Sequence, residues 1–422
     1  MTHTQTQTQT EARAAPQYQL VIVGAGLVGA SLALQMAPKL AERGMRLALV
    51  EAGGEPEHYA GPVFDPRVVA LTAASQAQLE ALGLWRQITA ERVCPYRDME
   101  VWDGEASGEI GFHARQLGCE QLGHIVENSL LVRHLRRALA YQSAVDWFHP
   151  RRLEDYQPAD AQAPARIRLD DGQELSADLL VAADGAHSRL RSLAGFAVRE
   201  WAYGQKAIVT SVRTQKPHGY KARQRFMHTG PLAFLPLRWR GGKTGDDWDC
   251  HYSSIVWSAD SALADSLMAL DNDAFCARLT RDFEARLGRV EACDQRHAIP
   301  LYQRHARHYV QPGVALVGDA AHSIHPLAGQ GVNLGLKDVM ALAGQLTRGL
   351  ERGLPLSEPL LLRRYQRERL SDNLGMMALM ESFKHLFGSR SPEFIWLRNE
   401  GLRRVNALPL VKNTLARKAM GV

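Results

Sequence analysis

The stretch Leu20-Val21-Ile22-Val23-Gly24-Ala25-Gly26-Leu27-Val28-Gly29 constrains the fold of this chain more than any other. Four apolar residues in a row fit a short strand buried on both faces, as parallel sheets use. A helix is predicted to follow as far as about Arg43, and a second strand, Arg46 to Val50, ends at Glu51. Strand, glycine turn, helix and strand form a β-α-β unit, with an acid 22 residues past the last glycine. Gly24 and Gly26 allow a tight turn and let a pyrophosphate approach the helix start, where the amides of Leu27, Val28 and Gly29 begin the first turn. Gly29 allows the helix to pack on the strand, and Glu51, with Ala52 next to it, can accept hydrogen bonds from a ribose. An acid there disfavours a 2′-phosphate, so the dinucleotide is FAD or NAD rather than NADP. The run from Ala14 to Pro38 carries no charge, which by length alone would suit a membrane span. Three glycines at fixed spacing and Gln35 argue instead for a buried strand, turn and helix.

At 422 residues the chain exceeds what one hydrophobic core usually supports, roughly 250–300 residues, and two closely packed domains are expected. With 45% hydrophobic and 23% charged residues it reads as an ordinary soluble globular protein. Cys94, Cys119, Cys250, Cys276 and Cys293 are scattered with no Cys-x-x-Cys pair. That is neither a disulfide framework nor a zinc site; no metal is expected, and a cytoplasmic location is. Residues 1–17, with a Thr-Gln repeat and no apolar segment, are predicted to be a disordered tail and not a signal peptide. Net charge is +5, yet residues 384–422 alone hold eight Lys/Arg against two Glu, among Phe394, Ile395, Trp396 and Leu397. Such a segment suits either a helical cap with a solvated basic face or contact with an anionic membrane surface or acidic partner. Nucleic-acid motifs are absent from the sequence.

Texture then divides the chain. Residues 18–97, 127–199 and 298–383 fit an interrupted dinucleotide-binding domain. Residues 98–126 and 200–297 contain alternating stretches such as Ile208–Val212, Leu232–Leu235 and Ser254–Trp257, which predict antiparallel strands of a substrate domain, with 241–247 as a hairpin loop. Residues from Gly331 onward read as mostly helical, and 384–422 as a basic amphipathic helical tail. Two further strand ends carry Gly-Asp chemistry. Leu179-Leu180-Val181-Ala182-Ala183 runs into Asp184-Gly185, which suits either a ligand loop or a turn with surface arginines. Val314-Ala315-Leu316-Val317 runs into Gly318-Asp319, followed by His322, His325, Pro326, Gly329, Gly331, Val332 and Asn333 at the start of a predicted helix, Val332 to Leu346. That turn puts a carboxylate at a strand's carboxyl end and freed backbone at a helix start, where open α/β sheets bind ligands; a tight structural connection would read the same in isolation.

The three signals in this order resemble the class A flavoprotein aromatic hydroxylases, the para-hydroxybenzoate hydroxylase fold group, from about residue 18 to the C-terminus. Finer features are similar to the ubiquinone-biosynthesis hydroxylase family: Phe64-Asp65-Pro66-Arg67 with Ala70-Leu71, Met99-Glu100-Val101-Trp102-Asp103, Leu122-Gly123-His124-Ile125-Val126-Glu127-Asn128, Phe234-Leu235-Pro236-Leu237, and the unbroken His325–Asn333. Within it the chain most resembles the 2-polyprenylphenol hydroxylase branch, with the demethoxy-benzoquinol hydroxylase branch close beside it.

The resemblance implies a Rossmann-like α/β FAD-binding domain, an interleaved antiparallel substrate domain and a helical C-terminus. It implies that Gly24, Gly26 and Gly29 hold the FAD pyrophosphate and Glu51 the adenosine ribose. Arg67 would reach the phosphates, and Asn128 and Arg133 would lie along the cofactor. Asp184 would belong to the motif shared by FAD and NAD(P)H, Asp319 would bind the ribityl hydroxyls, and Gly331 to Asn333 would hold the pyrimidine end. Pro326 would line the reactive face, with His325 or His322 as a catalytic base or, more commonly for such a loop, a structural hydrogen-bonder. The implied reaction uses tight, non-covalent FAD, NAD(P)H as transient co-substrate and O2, and hydroxylates a polyprenylated phenol through a C4a-hydroperoxyflavin. Partner proteins of the same pathway, a homo-oligomer and peripheral membrane contact through 384–422 are compatible with it. Rival readings on the same scaffold are a flavin-dependent prenyl or quinone reductase and a non-enzymatic FAD-binding scaffold subunit.

Overall fold

The computed structural model describes residues 16–104, 108–160, 163–241, 247–324 and 330–388, with 391, 400, 408, 412, 413 and 417. Residues 1–15 of the expected tail, the centre of the 241–247 loop, His325, Pro326, Gly329 and most of 384–422 lie outside the described residues.

Five strands form the parallel heart of an eight-stranded sheet, in the spatial order Val314–Leu316, Glu174–Ala182, Tyr18–Val23, Leu47–Val50, Val145–Phe148. Leu20, Val21 and Ile22 are fully buried, as expected of strands covered on both faces. The helices Leu27–Ala41, Asn128–Leu139 and Gln330–Glu351 contribute Leu32, Met36, Leu131, Leu135, Leu342 and Leu346 to this core. The register aligns the strand ends: Val23 pairs with Ala182 on one side and Val50 on the other, and Ala182 pairs with Leu316. The loops starting at Gly24, Glu51, Ala183 and Val317 therefore leave along one edge.

A nine-stranded sheet forms the second unit. Its order is His322–Ser323, His297–Ala306, Val198–Thr214, Trp248–Asp260, Gly230–Arg240, Lys221–Met227, Asp98–Asp103, Glu109–His113, with Val290–Cys293 paired to Val198–Thr214 off this path. The pairs are antiparallel, as the alternation predicts, except that Lys221–Met227 runs parallel to Asp98–Asp103. Helices Ser261–Met268 and Asn272–Asp282 cover one face, over a core of Trp102, Phe234, Ile255, Trp257, Phe275 and Phe283. Phe234 stacks on Phe283 with ring centroids 3.6 Å apart. Each such side chain contributes about 1.5–3 kcal/mol through burial. The strand His297–Ala306 stays in this sheet well past residue 298, and the sheet also takes in His322–Ser323, beside the Gly318-Asp319 turn.

A small antiparallel sheet, Val68–Leu71, Gly123–Glu127 and Cys94–Tyr96, joins the two units. Alternation along Gly230–Arg240 sends Leu232 and Phe234 to the helix-covered core and Leu235 and Leu237 to the opposite face. There they meet Phe64, Val68, Ala70, Ile125 and Tyr252. The face of the large sheet away from those helices is thus packed against the segment that carries Arg67.

Candidate active site

The site begins at the glycine turn. Gly24 holds φ +102°, and a side chain there would press into the Ala183 carbonyl of the neighbouring loop. A Cβ on Gly29 would overlap the Gly24 carbonyl oxygen, so the third glycine is fixed by helix–turn packing. Gly26 differs: a Cβ built on it meets nothing within 4 Å. It is also the N-cap of Leu27–Ala41 and offers no side-chain cap, leaving the first-turn amides to face an open cradle.

Glu51 closes one side of that cradle. Its carboxylate accepts hydrogen bonds from Ala25 N (2.6 Å) and Gly53 N (2.7 Å) and pairs with Arg136 at 3.2 Å. Arg136 also donates to the Ala25 and Gly54 carbonyls, so one guanidinium ties the helix Asn128–Leu139 to both loops. Arg136, and not the Arg133 expected along the cofactor, is the arginine that reaches Glu51. Arg133, one turn earlier, pairs with Glu91 at 2.5 Å and with His58. The i, i+3 spacing of the two arginines on one helix is the signal that was present.

Arg67 and Asn128 are held side by side by a buried carboxylate. Asp65 accepts from Arg67 N (2.8 Å) and Ser129 N (2.8 Å), and Asn128 N donates to Arg67 O (2.9 Å). Glu127, bound by Arg92 and Asp65 N, stiffens the same corner. Burial pushes the Glu127 carboxyl up despite Arg92. The Arg67 side chain is exposed and close enough to Asp319 to favour its ionised form.

Asp184 sits at its predicted strand end. One carboxylate oxygen accepts from Arg189 N (2.7 Å) and Leu190 N (3.2 Å); the other is buried with no partner among the described residues. Behind it, the buried Arg191 donates to the Ala186 and Ala320 carbonyls, linking the Asp184 loop to the Gly318 turn.

The Gly318–Ala320 turn is clamped from below. Gly318 has φ +59° and lies against Val28, whose side chain also fills the space a Cβ on Gly335 would need (2.7 Å to its methyl). Asp338, fully buried on the helix Gln330–Glu351, accepts from Gly318 N (2.9 Å), His322 Nε2 (2.6 Å) and Arg369 Nε (2.8 Å). Burial alone would raise this carboxyl, but His322 and Arg369 hold it below the usual range. His322 is thus a buried support of the turn. Asp319 itself is exposed in the cleft though crowded by protein, and that desolvation raises its carboxyl above the ordinary aspartate range. At the helix start a Cβ on Gly331 would meet nothing within 4 Å, and Val332 is half-buried. The Asn333 side chain is engaged: it accepts from Thr72 N (3.1 Å) and Ser75 Oγ (2.7 Å) and donates to Ala70 O (2.8 Å).

Open space at Gly26 and Gly331, an unpartnered buried oxygen on Asp184 and a cleft-facing Asp319 fit an extended dinucleotide lying along one sheet edge. This arrangement defines a dinucleotide-binding α/β protein with an apposed antiparallel domain. The FAD binding domain family model matches residues 17–373, and the chain belongs to that family, with FAD as its cofactor. It is 36% identical over 404 residues to the 3-demethoxyubiquinol 3-hydroxylase of Escherichia coli K12, an alignment covering 96% of this chain and 98% of the relative. It is 32% identical over 446 residues to the mitochondrial ubiquinone biosynthesis monooxygenase COQ6 of Xenopus tropicalis, covering 94% and 92%. Among solved structures, Pseudomonas aeruginosa PqsL in complex with 2-aminobenzoylacetate superposes with TM-score 0.74 at 23% identity, over 91% of this chain and 99% of that one; it shares the fold.

Proposed function

We propose that the chain is an FAD-dependent, NAD(P)H-consuming monooxygenase that hydroxylates the ring of a polyprenylated phenol or quinol in ubiquinone biosynthesis. The observation that supports this best is the convergence of the Gly24, Glu51, Asp184 and Gly318 loops on one edge, with the strand after the Gly318 turn paired into the large sheet. The names of relatives matched over nearly the whole chain supply the substrate class.

Bound FAD would supply the redox chemistry, accepting reducing equivalents from NAD(P)H and activating O2 for transfer of one oxygen atom to an electron-rich ring. The chain's own residues bind, orient and exclude water. Gly24, Gly26 and the amides of Leu27, Val28 and Gly29 would cradle the pyrophosphate, with Glu51 and Ala52 at the adenosine ribose and Arg67 at the phosphates. Asn128 would meet the flavin, and Arg133 would contribute through the Glu91 corner. The free oxygen of Asp184 is available to a cofactor or NAD(P)H hydroxyl. Asp319 would accept from the ribityl chain next to Gly318. The backbone of Gly331, Val332 and Asn333, at a helix start, would favour negative charge on the pyrimidine end. The resemblance assigns Gly329 and Pro326 to the cofactor loop and offers His325 as a candidate base. Residues 98–126 and 200–297 would form the substrate unit, whose apolar inner face, with Leu235 and Leu237, would keep water from the reacting centre.

Two rings compete. The motif resemblance favours the polyprenylphenol, and the name of the 36% identical Escherichia coli relative, a 3-demethoxyubiquinol 3-hydroxylase, favours a demethoxy-quinol. Mass spectrometry of quinone intermediates in a strain lacking this chain decides: accumulation of the unhydroxylated phenol supports the first reading, accumulation of the demethoxy-quinone the second, and a normal profile overturns both.

No helix among the described residues is long and apolar enough to cross a membrane. A prenylated substrate still requires access to lipid, and the basic 384–422 segment would supply peripheral contact at the cytoplasmic face. Replacing Arg398, Arg403, Arg404 and Lys418 by Gln should weaken binding to anionic vesicles several-fold; unchanged binding would exclude this role.

A further inference from the structure

Cys276 and Cys293 lie seventeen positions apart in the sequence. The fold brings them together on the far side of the large sheet from the cleft. Cys276 stands on the helix Asn272–Asp282 and is buried; Cys293 ends the strand Val290–Cys293, opposite Val212, and is partly exposed. Val290 N donates to Thr280 Oγ1 (2.9 Å), pinning that strand to that helix. Cys276 belongs to the apolar cluster beneath that helix, and Cys293 packs against the same cluster. Arg296 is held beside them by the carbonyls of Leu267 (3.1 Å) and Leu270 (2.6 Å), with its guanidinium over the Phe275 ring. Three ionised neighbours face the pair: Arg296 favours thiolate, and Asp273 and Asp294 oppose it.

We propose that Cys293 and Cys276 form a peroxide-sensing thiol pair, with Cys293 as the attacking and Cys276 as the resolving cysteine. Several features divide these roles. Cys293 is the more exposed residue and stands three positions before the fixed Arg296, whereas Cys276 is buried within the cluster. A partly exposed thiolate beside a fixed arginine is the setting that makes a cysteine reactive. Hydrogen peroxide, the two-electron reduction product of O2, is the oxidant. The Cys293 thiolate attacks one peroxide oxygen, the O–O bond breaks, and with one proton taken up water leaves, giving a sulfenic acid on Cys293. The Cys276 sulfur then attacks the Cys293 sulfur; an S–S bond forms, the S–O bond breaks, and the second water carries off the Cys276 proton. Net, two thiols and one peroxide give a disulfide and two waters.

The test uses the full-length FAD-loaded protein, treated with hydrogen peroxide and digested without reduction. The expected result is one cross-linked peptide pair joining Cys276 to Cys293, lighter by two hydrogens and reversed by dithiothreitol, formed at peroxide doses that leave Cys94, Cys119 and Cys250 unmodified. In Cys276→Ser, dimedone should trap a sulfenic acid at Cys293; in Cys293→Ser, Cys276 should stay unlabelled. Absence of the cross-link together with irreversible oxidation of Cys293, or oxidation of Cys119 or Cys250 first, would overturn the proposal. Far-ultraviolet circular dichroism of both variants separates lost chemistry from lost fold.

Discussion

Gly26 and Gly29 are identical residues in one motif, and the fold gives them opposite burdens. A methyl on Gly29 collides with the Gly24 carbonyl, whereas one on Gly26 enters open space at an ordinary backbone angle, φ −70°. Gly26→Ala should leave the apo protein as stable as the parent, or more stable by up to about 1 kcal/mol through unfolded-state entropy. It should weaken FAD binding at least tenfold, because the methyl fills the cradle. Gly29→Ala should destabilise the apo fold itself. Thermal unfolding of apo protein together with FAD titration separates the two; equal FAD affinity in Gly26→Ala and parent would remove the cradle from the account. At this scale the sequence was informative for backbone-imposed positions, since glycine spacing declares where a backbone must come close. It said nothing of Arg136, Arg191 or the pairing of Cys276 with Cys293, whose partners stand far away along the chain.

Among elements, the helix Gln330–Glu351 does more than present its N-terminus to the cleft. Through Asp338 it grips the Gly318 turn, His322 and, on the next helix, Arg369, and through Asn333 it grips Thr72 and Ser75. Apolar periodicity predicted this helix, but a buried aspartate on it reads as an ordinary surface residue until its cationic partners are known. Asp338→Asn leaves the buried Arg369 with only the exposed Asp372 as counter-charge, and should cost about 3 kcal/mol of stability, read by urea unfolding. The folded carboxyl lies below its unfolded value of 3.8, so its stabilisation is complete above that value and is lost as pH falls beneath it. The parent should therefore lose more stability than Asp338→Asn on acidification below that point; parallel losses would contradict the assigned ion pair. The small sheet Val68–Leu71, Cys94–Tyr96 and Gly123–Glu127 was also illegible. Its strands are three to five residues long and pair across long separations, leaving no periodic signature.

For the molecule as a whole, the doubly built architecture was legible because the two units use different apolar periods: continuous runs for the parallel sheet, alternation for the antiparallel one. The boundaries were less so, since His297–Ala306 continues one sheet while its neighbours in sequence rejoin the other. Stability of the assembled chain should depend on pH through three buried histidines, His124, His218 and His305, each lowered from 6.5 to about 4 chiefly by burial. His218 shows why. Its Nδ1 accepts from Tyr220 N (2.9 Å) and its Nε2 donates to Leu237 O (2.9 Å), so a second proton would break an existing bond. Unfolded chains bind these protons first, so stability is full above 6.5 and declines as pH falls towards 4, by at most about 1.4 kcal/mol per pH unit for each histidine. His218→Asn should flatten the dependence of the urea midpoint across that window; a midpoint already flat in the parent would contradict the buried neutral histidines.

The proposed role of this edge of loops, beside an apolar sheet face, is oxygen transfer to a prenylated ring. Its most direct test supplies FAD-loaded protein with NAD(P)H, isotopically labelled dioxygen and a short-chain polyprenylphenol or demethoxy-quinol. The expected result is NAD(P)H oxidation stimulated by the ring substrate and one labelled oxygen atom in the product. Oxidation of NAD(P)H that yields a reduced substrate with no label, or no reduction of the flavin at all, would contradict it.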